Sequence, residues 1–348
     1  MENKKVQFVK DLKPGSLADS IFLVTKKIIK KKKNAEDYCL ICIQDKSGSM
    51  DGVIWTDAFL NTGPFAEGDF ALVKGEVSDY KGARQLTVSS FIKIGPENEK
   101  NLDPADYIKA SSKNISEMFQ QLKFFMNGIS NPYLKKLLGL FFDDEKFSEK
   151  FCSSTAAVQY HHAYTGGLLE HTLSMVRLCS GIIDNYRDIK AVNDDFKDLA
   201  IAGSVLHDIG KMEEYGTEKK GALIKITDEG KLLGHISIGY GIILQKIGQI
   251  NNFPTDLKDR LLHIILSHHG HKEFGSPKQP KTLEAFLVYH VDHLDADIAG
   301  IAGILENSSG GSDWSEYLKN FERSILLKEP NFPEEPVLEE NDENKLFK

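Results

Sequence analysis

The chain has 348 residues, of which 41% are hydrophobic and 27% charged, the composition of a soluble globular protein long enough for two domains. No apolar run approaches the ~20 residues of a membrane span, and no signal-peptide core follows the Lys-rich N-terminus, so we expect a cytoplasmic protein without a membrane partner. The net charge of −8 is uneven: residues 1–95 carry 15 Lys and Arg against 12 Asp and Glu, and the remainder carries 28 against 39. One basic region in an acidic chain predicts a localised site for a polyanion.

The first 95 residues alternate between apolar and polar side chains in the manner of β-strands. Gly-containing turn signals such as DKSGS and DYKGA separate the apolar stretches, as hairpins require. Five short strands with a brief helical connection at TDAFLNTG predict an all-β, OB-like Greek-key barrel over residues 1–95. The strand candidates are SIFLVTKKIIKKKK, YCLICIQD, SMDGVIW, DFALVKGEVS and RQLTVSSFIKI.

Four consecutive lysines end the first predicted strand, where the phosphate backbone of a nucleic acid could bind. This substrate-binding prediction covers Lys30, Lys31, Lys32 and Lys33. Six aromatic side chains of the barrel are candidate stacking platforms for bases, namely Phe22, Tyr38, Trp55, Phe59, Phe65 and Tyr80. The alternative is that most of these aromatic residues form the barrel core and that the lysines protect a strand edge from aggregation.

The segment after Gly95, GPENEKNLDPADYIKASS, contains two prolines and little periodicity, which predicts a linker over residues 96–113. From Asn114 onward the apolar spacing is helical, and it predicts an all-α domain over residues 114–327. Within this domain, Asn131 followed by Pro132 is the signature of a helix start. Residues 328–348 are rich in Pro and Glu and predict a loose acidic tail. The predicted fold class is therefore a β-barrel domain followed by a helical domain.

Long predicted helices of the second domain carry His or Asp within their apolar faces. These residues are His171, His207, His268, His269 and Asp292. A single buried His is usually a hydrogen-bonded core residue, but several helices that each direct imidazole or carboxylate inward are hard to explain in that way. Asp208 follows His207 at the end of an apolar run, where burial of its carboxylate costs several kcal/mol without compensation. A divalent transition metal would provide that compensation, because neutral imidazoles and carboxylates are its usual ligands.

Short motifs then occur in a fixed order on separate predicted helices. They are EHT at 170–172, HDIGK at 207–211, GHISIG with His235, SHHG at 267–270 and VDHLDA with Asp292. This series resembles the HD-domain superfamily of metal-dependent phosphohydrolases. With the preceding YHHAYTGGLLEHT and the OB-like module, the chain is similar more narrowly to the YhaM family of bacterial 3′-to-5′ exoribonucleases, over nearly its whole length.

The resemblance implies a centre with two divalent metal ions. One ion would be held by His171, His207, Asp208 and Asp292. The second would be held by His235, His268 and His269, with Asp208 as the bridging ligand. Such centres hold ions about 3.5–4 Å apart, activate a bridging water and bind the phosphoryl oxygens. The family implies Mn²⁺, and Co²⁺, Fe²⁺ and Zn²⁺ stay open because imidazole-rich sites accept them all.

Three further residues are candidates for contact with substrate. Lys211 lies one helical turn after Asp208, where it could touch the scissile phosphate or the leaving oxygen. Asp208 and Lys211 are therefore predicted to be catalytic. Alternatively, Lys211 is a cation that interacts with the C-terminal dipole of a helix. His161 and His162 precede the Gly-Gly turn and could line the mouth of the site or bind nucleotide.

The leading functional hypothesis is a hydrolase that removes nucleoside monophosphates from the 3′ end of single-stranded RNA, with single-stranded DNA as a possible partner and a homo-oligomer as a possible state. The first alternative is a phosphohydrolase of free or cyclic nucleotides, which would not need a barrel that follows a strand. The second is a non-catalytic protein that binds single-stranded nucleic acid. The complete series of metal ligands argues against that alternative, because a protein without activity has no reason to bury them.

Overall fold

The computed structural model describes residues 5–80, 83–158, 162–218, 223–306, 308, 312–328 and 330. An N-terminal β-barrel is followed by a short connecting segment and then by a helical region. This order confirms the predicted fold class. Among the described residues, no helix is both long enough and apolar enough to cross a lipid bilayer.

The barrel is built from five strands. They are β1 (Leu17–Lys31), β2 (Asp37–Asp45), β3 (Gly48–Ile54), β4 (Phe70–Tyr80) and β5 (Ala83–Lys93), with the short helix α1 (Thr56–Phe59) after β3. The neighbour order β1-β2-β3-β5-β4 closes the sheet, with β3 and β5 parallel and the other pairs antiparallel. Closure pairs the edges that an open sheet would expose. Side chains alternate between the two faces of β2, and Cys39, Ile41 and Ile43 point into the core.

A buried ion pair fixes the N-terminal segment to the barrel. Lys5 Nζ lies 3.0 Å from Asp45 Oδ2, and the two side chains are 1% and 0% exposed. The same ammonium donates to the carbonyl of Ile21 at 2.8 Å, and the carboxylate accepts from the backbone N–H of Val9 at 2.8 Å. Burial lowers the pKa of Lys5, and Asp45 counteracts only part of that effect.

Asp45→Ala is expected to lower the free energy of unfolding by about 3–5 kcal/mol, because it leaves the ammonium of Lys5 buried without its counter-charge. Urea denaturation of the full chain measures this change. The matched control is Asp19→Ala, which breaks the exposed 2.8 Å pair with Lys74 and should change little. Equal effects of the two substitutions would contradict the assigned role of burial.

The segment predicted as a linker packs against both domains. It contains the short helix α2 (Pro96–Glu99) and a 3-10 turn at Pro104–Asp106. The backbone N–H of Lys46 in the barrel donates to the carbonyl of Asp106 at 2.9 Å. On the other side, backbone hydrogen bonds of 2.9 Å join Thr165 of the helical region to Lys109 and Ser111.

The helical region contains nine described α-helices. They are α3 (Ile115–Asn127), α4 (Pro132–Phe142), α5 (Glu145–Ser153), α6 (Gly167–Asn185), α7 (Asp194–Leu206), α8 (Lys211–Glu214), α9 (Asp228–Ile247), α10 (Thr255–Ser267) and α11 (Leu283–Glu306). The predicted start of α4 is confirmed, because the Asn131 side chain accepts from the N–H groups of Tyr133 and Leu134. A hairpin of β6 (Tyr215–Glu218) and β7 (Leu223–Ile226) was not predicted, since four-residue strands are too short for a readable period.

The core of the helical region brings together the helices that carry the predicted metal ligands. Their apolar faces share one cluster that includes Leu169 and Val176 of α6, Leu206 of α7, Ile264 of α10 and Val288 of α11. A separate cluster joins Leu223 of the hairpin to Phe70 of the barrel and Tyr107 of the connecting segment. The hairpin that follows α8 therefore also contacts the barrel.

Candidate metal centre

Two histidines of the centre stand directly after the ends of helices. His207 follows α7 and His268 follows α10, where the last carbonyl groups of a helix lack intrahelical partners. The Nδ1 atom of His207 lies 2.8 Å from the carbonyl of Ser204, and Nδ1 of His268 lies 2.8 Å from that of Ile265. Both rings are fully buried, and these hydrogen bonds fix their orientation.

The other three histidines are oriented in the same way by an oxygen acceptor at Nδ1. The acceptors are Asp295 for His171 at 2.7 Å, Glu214 for His235 at 3.1 Å and the carbonyl of Phe274 for His269 at 2.7 Å. An Nδ1–H that donates to oxygen assigns the tautomer in which Nε2 keeps its lone pair. All five rings are therefore arranged as metal ligands usually are, with an outer acceptor behind each ring.

One group of ligand atoms lies between α6, α7 and α11. It consists of His171, His207 and Asp292, whose ligand atoms lie within 4.8 Å of one another. The Nε2 atoms of His171 and His207 are 3.1 Å apart, and His171 Nε2 is 3.3 Å from Asp292 Oδ1. Lone pairs that face each other at this distance require a proton or a cation between them.

A second group shares Asp208 with the first. Its ligand atoms belong to Asp208, His235, His268 and His269 and lie within 4.8 Å of one another. Asp208 Oδ1 is 3.5 Å from His235 Nε2 and 3.6 Å from His268 Nε2. Its other oxygen, Oδ2, is 3.3 Å from His207 Nε2 and 3.5 Å from His171 Nε2. Asp208 thus presents one carboxylate oxygen to each group.

Atoms in the second group fit a bound cation. His235 Nε2, His268 Nε2 and Asp208 Oδ1 are buried and make no hydrogen bond with any described residue. Distances of 3.5 and 3.6 Å are too long for hydrogen bonds between them. A buried polar atom without a partner costs about 1–3 kcal/mol, so three such atoms that face one another are well explained as metal ligands. Imidazole with carboxylate suits Mn²⁺, Fe²⁺, Co²⁺ or Zn²⁺.

The second group is neutral at its imidazoles. Burial lowers the pKa of His235 and His268, and it lowers the pKa of His269 to about 4. Their lone pairs are therefore available for a metal at neutral pH.

The carboxylates of the centre stay ionised. Burial by itself would raise the pKa of Asp208, but the charge of Lys211 above all outweighs burial and holds the pKa well below its usual range. Burial likewise opposes protonation of His171, yet its hydrogen bonds to Asp292 and Asp295 raise its pKa to about 9. Without a cation, a proton on His171 compensates these carboxylates, and a bound metal would displace it.

Lys211 lies inside the centre. Lys211 is the first residue of α8, and its Nζ is 2.6 Å from Asp208 Oδ2. The residue is only 8% exposed, and its pKa is raised because Asp208 and Asp292 outweigh the effect of burial. This buried ion pair places Lys211 in the centre, and its predicted contact with a phosphate stays a prediction.

The two predicted histidines ahead of α6 have different outcomes. His161 lies outside the described residues. His162 is buried, with Nδ1 2.9 Å from the hydroxyl of Tyr164 and Nε2 3.3 Å from Asp295 Oδ2. It packs behind His171, at 5.7 Å between ring centroids, so the structure favours a supporting role over the predicted contact with substrate, which stays a prediction.

Sequence reasoning missed the two carboxylates that orient histidines, Asp295 and Glu214. A signal was present for Asp295, which follows Asp292 by one helical turn in VDHLDAD and therefore faces the same side of α11. Glu214 likewise follows Lys211 by three residues. Neither position could be assigned, because a carboxylate one turn from another charged residue is common on solvent-exposed helix faces.

The barrel carries a surface of lysines and aromatic rings beside the ends of β1 and β2. Tyr38 and Trp55 lie 5.2 Å apart between ring centroids with a 30° angle between their planes. Lys32 Nζ is 5.6 Å from the Trp55 ring, and Lys30 pairs with Tyr38 across β1 and β2. We call Lys30, Lys32, Tyr38 and Trp55 the lysine–aromatic patch.

The remaining predicted contacts of the barrel differ in exposure. Lys31 and Lys33 are exposed, and Tyr80 is 53% exposed. Phe59 is half-buried against the barrel core. Phe22 and Phe65 are core residues, so the prediction that they serve as stacking platforms is wrong.

The fold and the centre together define the class of protein. The family model described as HD domain matches residues 168–297, a range that includes all seven predicted metal ligands. The HD-domain match lies within the helical region, which follows the five-stranded barrel. Among solved structures, the second OB-fold domain of replication protein A from Methanococcus maripaludis aligns with a TM-score of 0.22 and 19% identity, over 26% of this chain and 95% of that one.

The chain is also similar to curated relatives over most of its length. The 3′-5′ exoribonuclease YhaM of Shouchella clausii is 28% identical over 326 residues, which are 93% of this chain and 96% of that protein. The 3′-5′ exoribonuclease YhaM of Bacillus subtilis is 28% identical over 280 residues, which are 80% of this chain and 84% of that protein. The resemblance of the chain to the YhaM family is confirmed.

Proposed function

We propose that the protein is a metal-dependent 3′-to-5′ exoribonuclease that hydrolyses the phosphodiester bonds of single-stranded RNA and releases nucleoside monophosphates. The observation that carries the proposal is the convergence of seven imidazole and carboxylate side chains, with Asp208 between two groups of ligand atoms. The polarity of degradation and the RNA substrate are supported by the names of the relatives.

The centre would hold two divalent ions, with Mn²⁺ as the first expectation. His171, His207 and Asp292 would bind one ion, and His235, His268 and His269 the other, with Asp208 shared. When bound, such ions polarise the phosphoryl oxygens and lower the pKa of a water that attacks phosphorus. Co²⁺, Fe²⁺ and Zn²⁺ suit the same ligands.

The chain itself provides orientation and charge. The five outer acceptors hold each imidazole with its Nε2 atom directed into the centre, so the ligands need little rearrangement. Lys211 contributes a buried ammonium beside Asp208, where it donates to a non-bridging oxygen of the scissile phosphate or to the leaving oxygen. Its burial keeps water from competing for that contact.

The barrel would hold the RNA strand upstream of the cut. In the lysine–aromatic patch, Tyr38 and Trp55 offer ring faces for bases, and Lys30 and Lys32 offer cations for phosphates. Stacking on aromatic rings is tolerant of sequence, as an enzyme that degrades RNA stepwise requires. Single-stranded DNA also presents bases for stacking and phosphates for the lysines, so it stays a predicted partner. Cytoplasmic localisation belongs to the same proposal, and a homo-oligomer stays a prediction.

A direct assay separates the proposal from its alternatives. A 5′-labelled single-stranded RNA incubated with the protein and Mn²⁺ should shorten progressively from its 3′ end, with nucleoside monophosphates as products. A chelator should stop the reaction, and fresh Mn²⁺ should restore it. An intact but shifted RNA band would favour a non-catalytic binding protein, and hydrolysis of free or cyclic nucleotides without RNA degradation would favour the other enzyme class.

Trp55→Ala is expected to weaken RNA binding by at least about 1 kcal/mol, which is roughly a fivefold higher Kd, because it removes one stacking surface. Hydrolysis of a small chromogenic phosphodiester should not change, since Trp55 lies on the barrel. The control is Trp314→Ala, which removes the other exposed tryptophan of the chain. Fluorescence anisotropy with labelled RNA measures the Kd, and a value equal to wild type would exclude Trp55 from the RNA surface.

A further inference from the structure

Asp295 contacts the ring nitrogen of His171 that points away from the metal centre. It lies on α11 one turn after Asp292 and is 7% exposed. Its Oδ2 accepts from Nδ1 of His171 at 2.7 Å, and its Oδ1 accepts from the hydroxyl of Ser174. Both carboxylate oxygens therefore have defined partners on α6.

The geometry distinguishes Asp295 from a ligand. Asp292 Oδ1 lies 3.3 Å from Nε2 of His171, on the side where the ligand atoms converge. Asp295 meets the opposite nitrogen, Nδ1, at hydrogen-bond length, with a donor facing an acceptor, so these atoms need no ion between them. The hydrogen bond selects the tautomer that leaves Nε2 free for a metal.

Asp295 is itself held in place by a series of polar contacts that leads to the connecting segment between the barrel and the helical region. His162 Nε2 lies 3.3 Å from Asp295 Oδ2, and His162 Nδ1 is 2.9 Å from the hydroxyl of Tyr164. That hydroxyl donates to Glu170 at 3.0 Å, which also accepts from Ser111 at 2.6 Å. His162 adopts a φ of 54°, a left-handed conformation that non-glycine residues rarely take and that persists where neighbouring structure enforces it.

We propose that Asp295 is a positioning residue, which holds His171 in the orientation needed to bind the first metal ion, and that His162 supports Asp295 in this role. The inference rests on the proposed metal centre. Partners behind metal-bound histidines typically contribute about 10- to 100-fold in metal affinity or activity.

The test measures Mn²⁺ binding to the metal-free full chain by equilibrium dialysis with elemental analysis. Wild-type protein should bind two ions. Asp295→Ala should weaken binding of one ion by about 10- to 100-fold and leave the other unchanged, because Glu214 and the carbonyls of Ile265 and Phe274 still orient the second group. Asp295→Asn keeps an acceptor oxygen for His171 and should recover part of the lost affinity, an outcome that a purely structural role does not predict.

Asp297→Ala is the matched control, since Asp297 lies on the same helix and is exposed. It should bind both ions as wild type does. Urea denaturation of the metal-free variants checks the fold, and Asp295→Asn carries the test if Asp295→Ala does not fold. Wild-type affinity for both ions in Asp295→Ala or Asp295→Asn would overturn the inference. A wild-type protein that binds no divalent ion would instead contradict the proposed function.

Discussion

Asp208→Ala is expected to remove both metal ions and to reduce hydrolysis of single-stranded RNA to background. The reason is the central position of Asp208, which presents Oδ2 to His171 and His207 and Oδ1 to His235 and His268. Its loss also leaves the buried ammonium of Lys211 without its 2.6 Å partner, so the metal-free protein should lose stability as well.

Metal content by elemental analysis and initial rates on labelled RNA measure the effect of Asp208→Ala. His235→Ala provides the comparison, because it affects only the second group and should retain about one ion per chain under the two-metal scheme. Asp228→Ala, at the exposed start of α9, is the control for loss of a carboxylate elsewhere. If Asp208→Ala kept one tightly bound ion, Asp208 would not be a bridging ligand.

Gly210→Ala is expected to disrupt the second group without changing any ligand. A Cβ atom added to Gly210 would lie 2.0 Å from the backbone oxygen of His235 and 2.7 Å from the backbone nitrogen of Gly239. Backbone atoms of a packed helix cannot rotate away as a side chain can. The residues just before α8 must therefore move away from α9. That movement displaces His235, whose Nε2 lies only 3.5 Å from Asp208 Oδ1.

The substitution should lower the free energy of unfolding by about 1–3 kcal/mol or more, as overpacking of a close contact does. It should also lower metal content toward one ion and reduce the rate on RNA steeply. Gly241→Ala on the same helix is the matched control, because its Cβ would meet open space. This control should be stabilised by about 1 kcal/mol through helix propensity. Wild-type metal content in Gly210→Ala would refute the close-approach argument.

Local patterns in the sequence were sufficient to predict the fold class. Alternation along YCLICIQD indicates a strand with one buried face, and β2 spans Asp37–Asp45 as that pattern requires. Asn131 followed by Pro132 predicts a helix start, because capping depends on residues within one turn. His207 of HDIGK and the first histidine of SHHG, His268, are recognisable for a similar reason, since each follows an apolar helix and bonds to a carbonyl three residues earlier.

Only the tertiary structure decided how these elements meet, because the decisive contacts join residues far apart in sequence. The carboxylate that orients His171 comes from Asp295, 124 residues later. The need for glycine at 210 arises from the backbone of α9, and the burial of Phe22 arises from closure of the barrel around it. A sequence pattern determines which face of an element is apolar, whereas the packing of helices and strands determines which polar groups share one enclosed space. The spacing of Asp295 from Asp292 places both residues on one side of α11, but only the packing of α6 against α11 brings His171 to Asp295.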